Sequence, residues 1–485
     1  MNKNGTPKLK NNIVYQLVFQ VVTVLSPLIV TPYISRTLGA EEIGKYTYAY
    51  SIAYYFVLVA GLGINAHGTR QIASAKNDKK QLEETFSNLF WVHIFISAIT
   101  TAVYLIAILC GVNRANQKLS LIMLFYLLSA VVDVKWFFQG LENFKITVLR
   151  SIIIKIIYIC AVFVFVHSKT DTAIYTFIMV FVSFFIAEAS LFILVPRYIR
   201  LRKPNYSGII REIKPLFVLF IPSVANLLLR HFDKIMLGVL STYKQLGYYE
   251  NSDKIFTILS TFITAIGDVL LPRISNLLVS DNQEKANKIF NYALRIGIII
   301  SCAFTFGIIS IAREFVPIFF GNEFSECIRI IQWIAPSIIM VAFSVSIRKQ
   351  FLIPRYKNKV YLIATGSGLV SNLIGNAILI PCFGAMGAVY ATLIAEMTVI
   401  ICQFLMIRKE LNYLPFVKDL IIFCWVGMIM FFIVRLTSLI PINGPMQLIA
   451  EIIVGIISFG ILSYCIMKVT KDELLIYLIT AIKKR

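Results

Sequence analysis

Pro32-Tyr33-Ile34-Ser35-Arg36-Thr37-Leu38-Gly39-Ala40-Glu41-Glu42-Ile43-Gly44-Lys45-Tyr46, running on to Gly68-Thr69-Arg70-Gln71-Ile72-Ala73, is the stretch that decides the fold. It joins the end of one apolar run to a complete second run. Two runs of about 20 apolar residues, each long enough to cross roughly 30 Å of hydrocarbon, joined by so short a polar link read as a membrane helical hairpin. A degraded copy lies 203 residues downstream, where Gly44 falls on Gly247, Tyr46 on Tyr249, Ile52 on Ile255, Arg70 on Arg273, Asp78 on Asp281 and Asn88 on Asn291. The recurrence implies a duplicated bundle.

The rest of the chain has the same character. Of its 485 residues 58% are hydrophobic and only 15% are charged, so most of it must sit in lipid. Breaking the apolar runs at charge, Gly or Pro gives spans near 13–35, 44–67, 86–110, 118–138, 147–167, 172–195, 214–240, 249–271, 289–311, 328–347, 359–380, 384–407, 418–439 and 446–467. A membrane barrel would show alternating segments of about ten residues, and Ser151–Val166 is instead one unbroken apolar run but for Lys155. The expected fold is therefore an all-α integral membrane protein of about fourteen transmembrane helices. It divides into an N-terminal six-helix bundle (1–205), a C-terminal six-helix bundle (206–410), and an extra helix pair with an amphipathic tail (411–485). An even number of helices per repeat relates the halves by an axis along the membrane normal.

Met1–Asn12 is polar and basic without a short apolar core or a small-residue cleavage site, so no removable signal peptide is expected and the first span serves as the insertion signal. The net charge of +21 is concentrated in alternate connections, among them Arg70 to Lys80, Arg197 to Lys214 and Arg348 to Lys359. By the positive-inside rule these loops and both termini are cytoplasmic, and topology together with anionic lipid accounts for the charge without nucleic acid. The eight cysteines form no CxxC pair, the four histidines never approach ligand spacing, and no Gly-x4-Gly-Lys-Ser/Thr loop occurs. No cofactor or metal is expected.

Pro32 to Tyr46, in the form Pro-Tyr-Ile-Ser-Arg-x-Leu-Gly-x-x-x-Ile-Gly-x-Tyr, resembles the opening of the bacterial polysaccharide-repeat-unit flippases of the multidrug and oligosaccharidyl-lipid exporter superfamily. Four further stretches agree: Trp136–Lys145 (Trp-Phe-Phe-Gln-Gly-Leu-Glu-Asn-Phe-Lys), Phe220–Ser223, Phe232–Gly238 with Leu246–Glu250, and Ile380–Thr392. The resemblance covers residues 10–410. It implies a flippase carrying a polyprenyl-pyrophosphate-linked oligosaccharide from the cytoplasmic to the outer leaflet of the plasma membrane by alternating access. The implied partners are membrane lipids and the polymerase and glycosyltransferases of one capsule or surface-polysaccharide pathway.

Such a substrate has a tail that stays in lipid and a charged head that cannot, so the protein must offer a wet cationic passage. Intramembrane charges are the candidates. For substrate these are Arg36, Lys155, Arg230, Asp233, Lys234, Lys254 and Arg273; for ion coupling they are Glu188, His231, Asp268 and Glu396. Each has a bland alternative. Arg230 and Asp233, three apart, either meet substrate or pair with each other. Arg273, like Arg70, anchors a helix end among lipid phosphates or touches substrate. Glu396 serves coupling or only bonds a neighbouring helix. Tyr46, Tyr48, Tyr50, Tyr54 and Tyr55 stack on sugar rings or form an interfacial belt. Gly384, Gly387 and Ala388 read as close helix packing.

Two other functions fit parts of the pattern. A drug or metabolite antiporter of the same superfamily would share the six-plus-six halves, and the pair at 418–467 argues against it. A polyprenyl-dependent glycosyltransferase or glycan polymerase would need a sizeable catalytic outer loop, and the loop from Arg36 to Gly44 is tiny.

The orientation makes a test. In a cysteine-free background, a cysteine replacing Lys169 reacts with an impermeant thiol reagent added outside intact cells, and one replacing Arg202 does not. The reverse pattern inverts the topology.

Overall fold

The computed structural model describes residues 5–440, 444–472 and 474–475; the side chains of 5–20, 218–219 and 221–230 lie outside the described residues. The described residues are helical throughout, without a strand. They hold twelve stretches long and apolar enough to span a membrane. The first of these is two helices, because the continuous run Gly5–Gly61 breaks at Gly39 (φ 79°, ψ 173°). This gives α1 (5–38) and α2 (40–61, resuming after a break as Ile64–Ala75). Then follow α3 (Lys79–Leu109), α4 (Arg114–Gly140), α5 (Phe144–Phe165), α6 (Lys169–Arg197) and α7 (Tyr206–Leu240). After them come α8 (Tyr243–Val279), α9 (Gln283–Phe319), α10 (Glu326–Leu352), α11 (Asn358–Phe383), α12 (Ala385–Ile407), α13 (Leu414–Thr437) and α14 (Pro445–Val469). The fourteen expected spans are thus the fourteen helices of the described chain.

Their ends follow from local chemistry. Asp78 caps α3, its carboxylate accepting from the backbone N–H of Lys80 (2.8 Å) and Gln81 (3.3 Å), and Asn282 caps α9. Pro415 and Pro445 open α13 and α14, where a missing N–H costs nothing. Gly384, in a positive-φ conformation (57°), reverses the chain between α11 and α12. Three spans are less regular than a plain apolar run suggests. Residues 132–134 interrupt α4, and wider π-type turns fill Ile178–Ile186 of α6 and Ile347–Leu352 of α10. Such insertions usually mark functional segments. The tail expected to be amphipathic, Lys471–Arg485, falls almost wholly outside the described residues.

By contacts the chain forms two compact units, Met1–Gly247 and Tyr248–Arg485. In the first, the Trp136-Phe137-Phe138 motif is entirely buried and stacks against Phe86 and Phe90 of α3. The resumed part of α2 lies on this motif so closely that a Cβ at Gly68 would come within 2.6 Å of the Trp136 ring. In the second, Phe290, Phe351, Phe416 and Phe423 build a core joining α9, α10 and α13. Gly387 allows α12 to meet α11, since a Cβ there would sit 2.2 Å from the Leu379 carbonyl. Close helix packing is therefore the role of that small-residue run.

The two glycines related by the internal repeat do the same work. A Cβ at Gly44 would lie 1.7 Å from the Tyr243 carbonyl oxygen, and one at Gly247 would lie 1.9 Å from that of Ala40. Both contacts fall within the first unit. Gly44→Ala is therefore expected to destabilise by about 1–3 kcal/mol through overpacking, read as a lower yield of monodisperse protein and a lower unfolding midpoint. Gly366→Ala, with open space around its Cβ position, leaves both unchanged.

Candidate functional site

In the first unit, charges gather where α4, α5 and α6 approach one another. The interruption of α4 lets the Asp133 side chain accept from the backbone of Lys135 (3.0 Å), while Trp136 Nε1 donates to the Asp133 carbonyl (3.1 Å). This turn presents Lys135 to Glu188 of α6, with Nζ and Oε1 2.5 Å apart and the carboxylate side chain only 6% exposed. Arg150 of α5 donates to Ser190 and Ser151, and its charge is felt by Glu188. One turn further along, Lys155 donates to Thr23 of α1 (2.7 Å) and lies within electrostatic reach of Lys135. Three cations and two carboxylates leave the group one positive charge in excess. Two of its buried atoms, Glu188 Oε2 and Arg150 Nε, have no hydrogen-bond partner among the described residues. Buried polar atoms left in this way are uncommon and call for an explanation.

A ladder of tyrosines runs beside the charges. Tyr46 stacks on Tyr50, Tyr50 on Tyr126 (5.3 Å between centroids), and Tyr54 lies beside both Tyr50 and the His231 ring of α7. Tyr46 and Tyr126 are buried and Tyr126 feels the charge of Glu188, so this part of the ladder lines the interior of the unit rather than forming an outer belt.

The expected site residues divide accordingly. Glu188 and Lys155 share the cluster. On α7, Asp233 and Lys234 are buried, and Tyr55 is in electrostatic reach of both. The Arg230 side chain is outside the described residues, so its pairing with Asp233 is not part of this geometry. Arg36 is exposed at the end of α1, where neighbouring Lys45 binds Glu41 and Glu42. The remaining residues belong to the second unit and are scattered. Lys254 pairs with Glu250 (3.5 Å), Asp268 with Lys349 of α10 (2.5 Å), Glu396 accepts from Ser344 of α10 (3.4 Å), and Arg273 is exposed near the end of α8.

Asp133, Lys135 and Arg150 are not among the candidates the sequence offers, because span ends alone put all three in or beside a connection. The signal was present in Asp133-Val134-Lys135, two opposite charges at the edge of an otherwise apolar motif.

A bundle of this many helices with a cationic, tyrosine-lined interior defines a multi-pass membrane transporter fold. The chain superposes on lipid II flippase MurJ in an inward closed conformation with a TM-score of 0.75 at 16% identity, covering 95% of this chain and 99% of that one. It also superposes on an inward-facing multidrug resistance MATE family transporter of the MOP superfamily with a TM-score of 0.64 at 15% identity, over 82% and 98%. In sequence it belongs to the polysaccharide biosynthesis protein family, which it matches over residues 9–278. Its relatives include a protein of Escherichia coli strain K12 named for O-antigen transport, 26% identical over 84% of this chain and 99% of that one. Another is the capsular polysaccharide biosynthesis protein CapF of Staphylococcus aureus, 22% identical over 82% and 99%.

The Lys135–Glu188 pair, buried at its carboxylate but with the lysine side chain 43% exposed, makes a quantitative expectation. Glu188→Ala leaves Lys135 beside Arg150 without its counter-charge and costs less than the roughly 3–5 kcal/mol of a fully buried pair, read as a lower level of protein in the membrane fraction. Glu188→Ala combined with Lys135→Ala restores much of that level, and the non-additivity measures the coupling.

Proposed function

We propose that this protein is a flippase that moves a polyprenyl-pyrophosphate-linked oligosaccharide repeat unit from the cytoplasmic to the outer leaflet of a bacterial plasma membrane. It would act for a surface polysaccharide, by alternating access between six-helix halves (1–205 and 206–410), with both termini cytoplasmic. The reading is carried by the cluster of Asp133, Lys135, Arg150, Lys155 and Glu188 in the first unit. A diphosphate head needs positive charge inside the bilayer, and this group has a net surplus of it with a guanidinium nitrogen unpartnered among the described residues. Of the tyrosines beside it, the half-buried Tyr50 and Tyr54 offer flat, amphipathic faces to sugar rings. Relatives named for O-antigen transport and capsular polysaccharide biosynthesis support the same substrate class. The likeness to MurJ, which covers the chain more fully than the likeness to a MATE transporter does, supports a flippase over a drug antiporter.

In this reading Lys155, Arg150 and Lys135 attract the head, Glu188 keeps the lysines from holding it too tightly, and no covalent bond is made or broken. Arg36, Arg230, Asp233, Lys234, Lys254 and Arg273 remain proposed substrate contacts, and His231, Asp268 and Glu396 proposed coupling groups.

Deletion in the native host is expected to accumulate the lipid-linked repeat unit on the inner leaflet. Complementation then addresses the site. Lys155→Ala removes one charge-assisted contact worth about 1.5–3 kcal/mol, a loss of export of roughly ten- to hundredfold at unchanged abundance. Lys155→Arg restores part of it. Full export by Lys155→Ala removes this cluster from the passage.

A further inference from the structure

At the end of the second unit that carries the basic loops, a cavity of about 710 Å³ opens between the start of α9, the start of α13 and the end of α14. Its inner wall is apolar, made by Phe290, Phe416, Phe423 and Met467. Leu414, Val417 and Val469 next to it are exposed apolar residues on helices that span the bilayer, so the cavity sits where hydrocarbon gives way to headgroups.

The charges around the cavity do not cancel. Arg295 is held by Asp419 (2.7 Å) and by Asp472, and Glu410 is held by Lys357. Every carboxylate of the described lining is thereby engaged. Lys288, Lys418 and Lys471 also line the cavity, and none of them forms an ion pair among the described residues. The Arg295 group keeps one negative charge in excess and the Glu410 charge is neutralised by Lys357 just outside the lining, so with the three lysines the charges in and beside the cavity leave a surplus of two positive charges. Exposed lysines are ordinary on this face of a membrane protein. Three of them around one cavity with an apolar inner wall are not explained by topology alone, which requires charge but no cavity.

We propose that this cavity binds an anionic phospholipid of the adjoining leaflet, its phosphate among Lys288, Lys418 and Lys471 and the start of an acyl chain against Phe290, Phe416 and Met467. A soluble phosphate would use the lysines and leave the apolar wall wet. A zwitterionic lipid would set its own cation against them. Only a ligand with both an anionic head and an apolar body satisfies both surfaces. Bound there, the lipid bridges α9, α13 and α14.

The test uses the purified full chain in detergent and compares the rise in unfolding midpoint on adding phosphatidylglycerol, phosphatidylcholine or inorganic phosphate. Phosphatidylglycerol is expected to give the largest rise. That rise should disappear in Lys288→Gln/Lys418→Gln/Lys471→Gln and persist in Lys80→Gln/Lys203→Gln/Lys285→Gln, which removes as much charge elsewhere. An equal rise with phosphatidylcholine overturns the proposal, an equal rise with inorganic phosphate reassigns the cavity to a soluble anion, and a full response in the first triple variant removes the lysines. Should that variant not fold, Lys418→Gln alone is compared with the unaltered chain by native mass spectrometry. Retention of as much phosphatidylglycerol as the unaltered chain then overturns the proposal equally.

Discussion

Hydrocarbon offers no hydrogen bonds, and this single constraint shapes nearly everything in the molecule. The backbone satisfies itself in fourteen helices, and where it departs from a helix, at residues 132–134, side chains answer the freed groups, as Asp133 does for the Lys135 N–H. Side-chain charges meet the same demand. Lys135 meets Glu188, Lys349 meets Asp268, and Arg435 meets Glu314. A charge without such a partner at mid-bilayer costs at least about 2.5 kcal/mol. Glu188 Oε2 and Arg150 Nε, unpartnered among the described residues, are therefore informative because both belong to charged groups.

The second consequence concerns packing. Lipid tails are as apolar as leucine, so burying leucine gains little and helices must cohere through close contact. The glycines at 44, 247 and 387 each bring a helix against a backbone carbonyl where no side chain would fit. Two of the three are partners in the sequence repeat. This gives the repeat a physical meaning: what recurs is the permission for two helix starts to touch.

Most of the fold was legible because span length and loop charge are set by the bilayer rather than by tertiary detail. All fourteen helices lie where apolar runs put them, and only their ends extend further. The irregular turns of α4, α6 and α10 were not legible, since Ile178–Ile186 is as apolar as any regular span and periodicity is silent about an extra residue per turn. The site was partly legible. Glu188 and Lys155 stood out as charges deep inside apolar runs, whereas Arg150 lies six residues into α5 and reads as a loop cation. Its place beside Glu188 depends on how α5 and α6 pack, which no local pattern encodes.

The balance of charge in the first unit bears on how a carrier of charged heads must be built. A cationic group with every charge matched at ideal geometry would be a structural pair and would ignore a diphosphate. A group with three bare cations would not survive in a membrane interior. The arrangement of Lys135, Arg150 and Lys155 around Asp133 and Glu188 lies between these limits: the surplus is one charge, and the serine hydroxyls holding Arg150 at 3.3 and 3.4 Å are neutral and weak partners. Neutral partners can be exchanged for a phosphate oxygen with little loss, and recovered when the phosphate leaves. Release is as necessary as capture in transport, and it is these replaceable contacts, more than the tight Lys135–Glu188 pair, that suit the cluster to a passing anion.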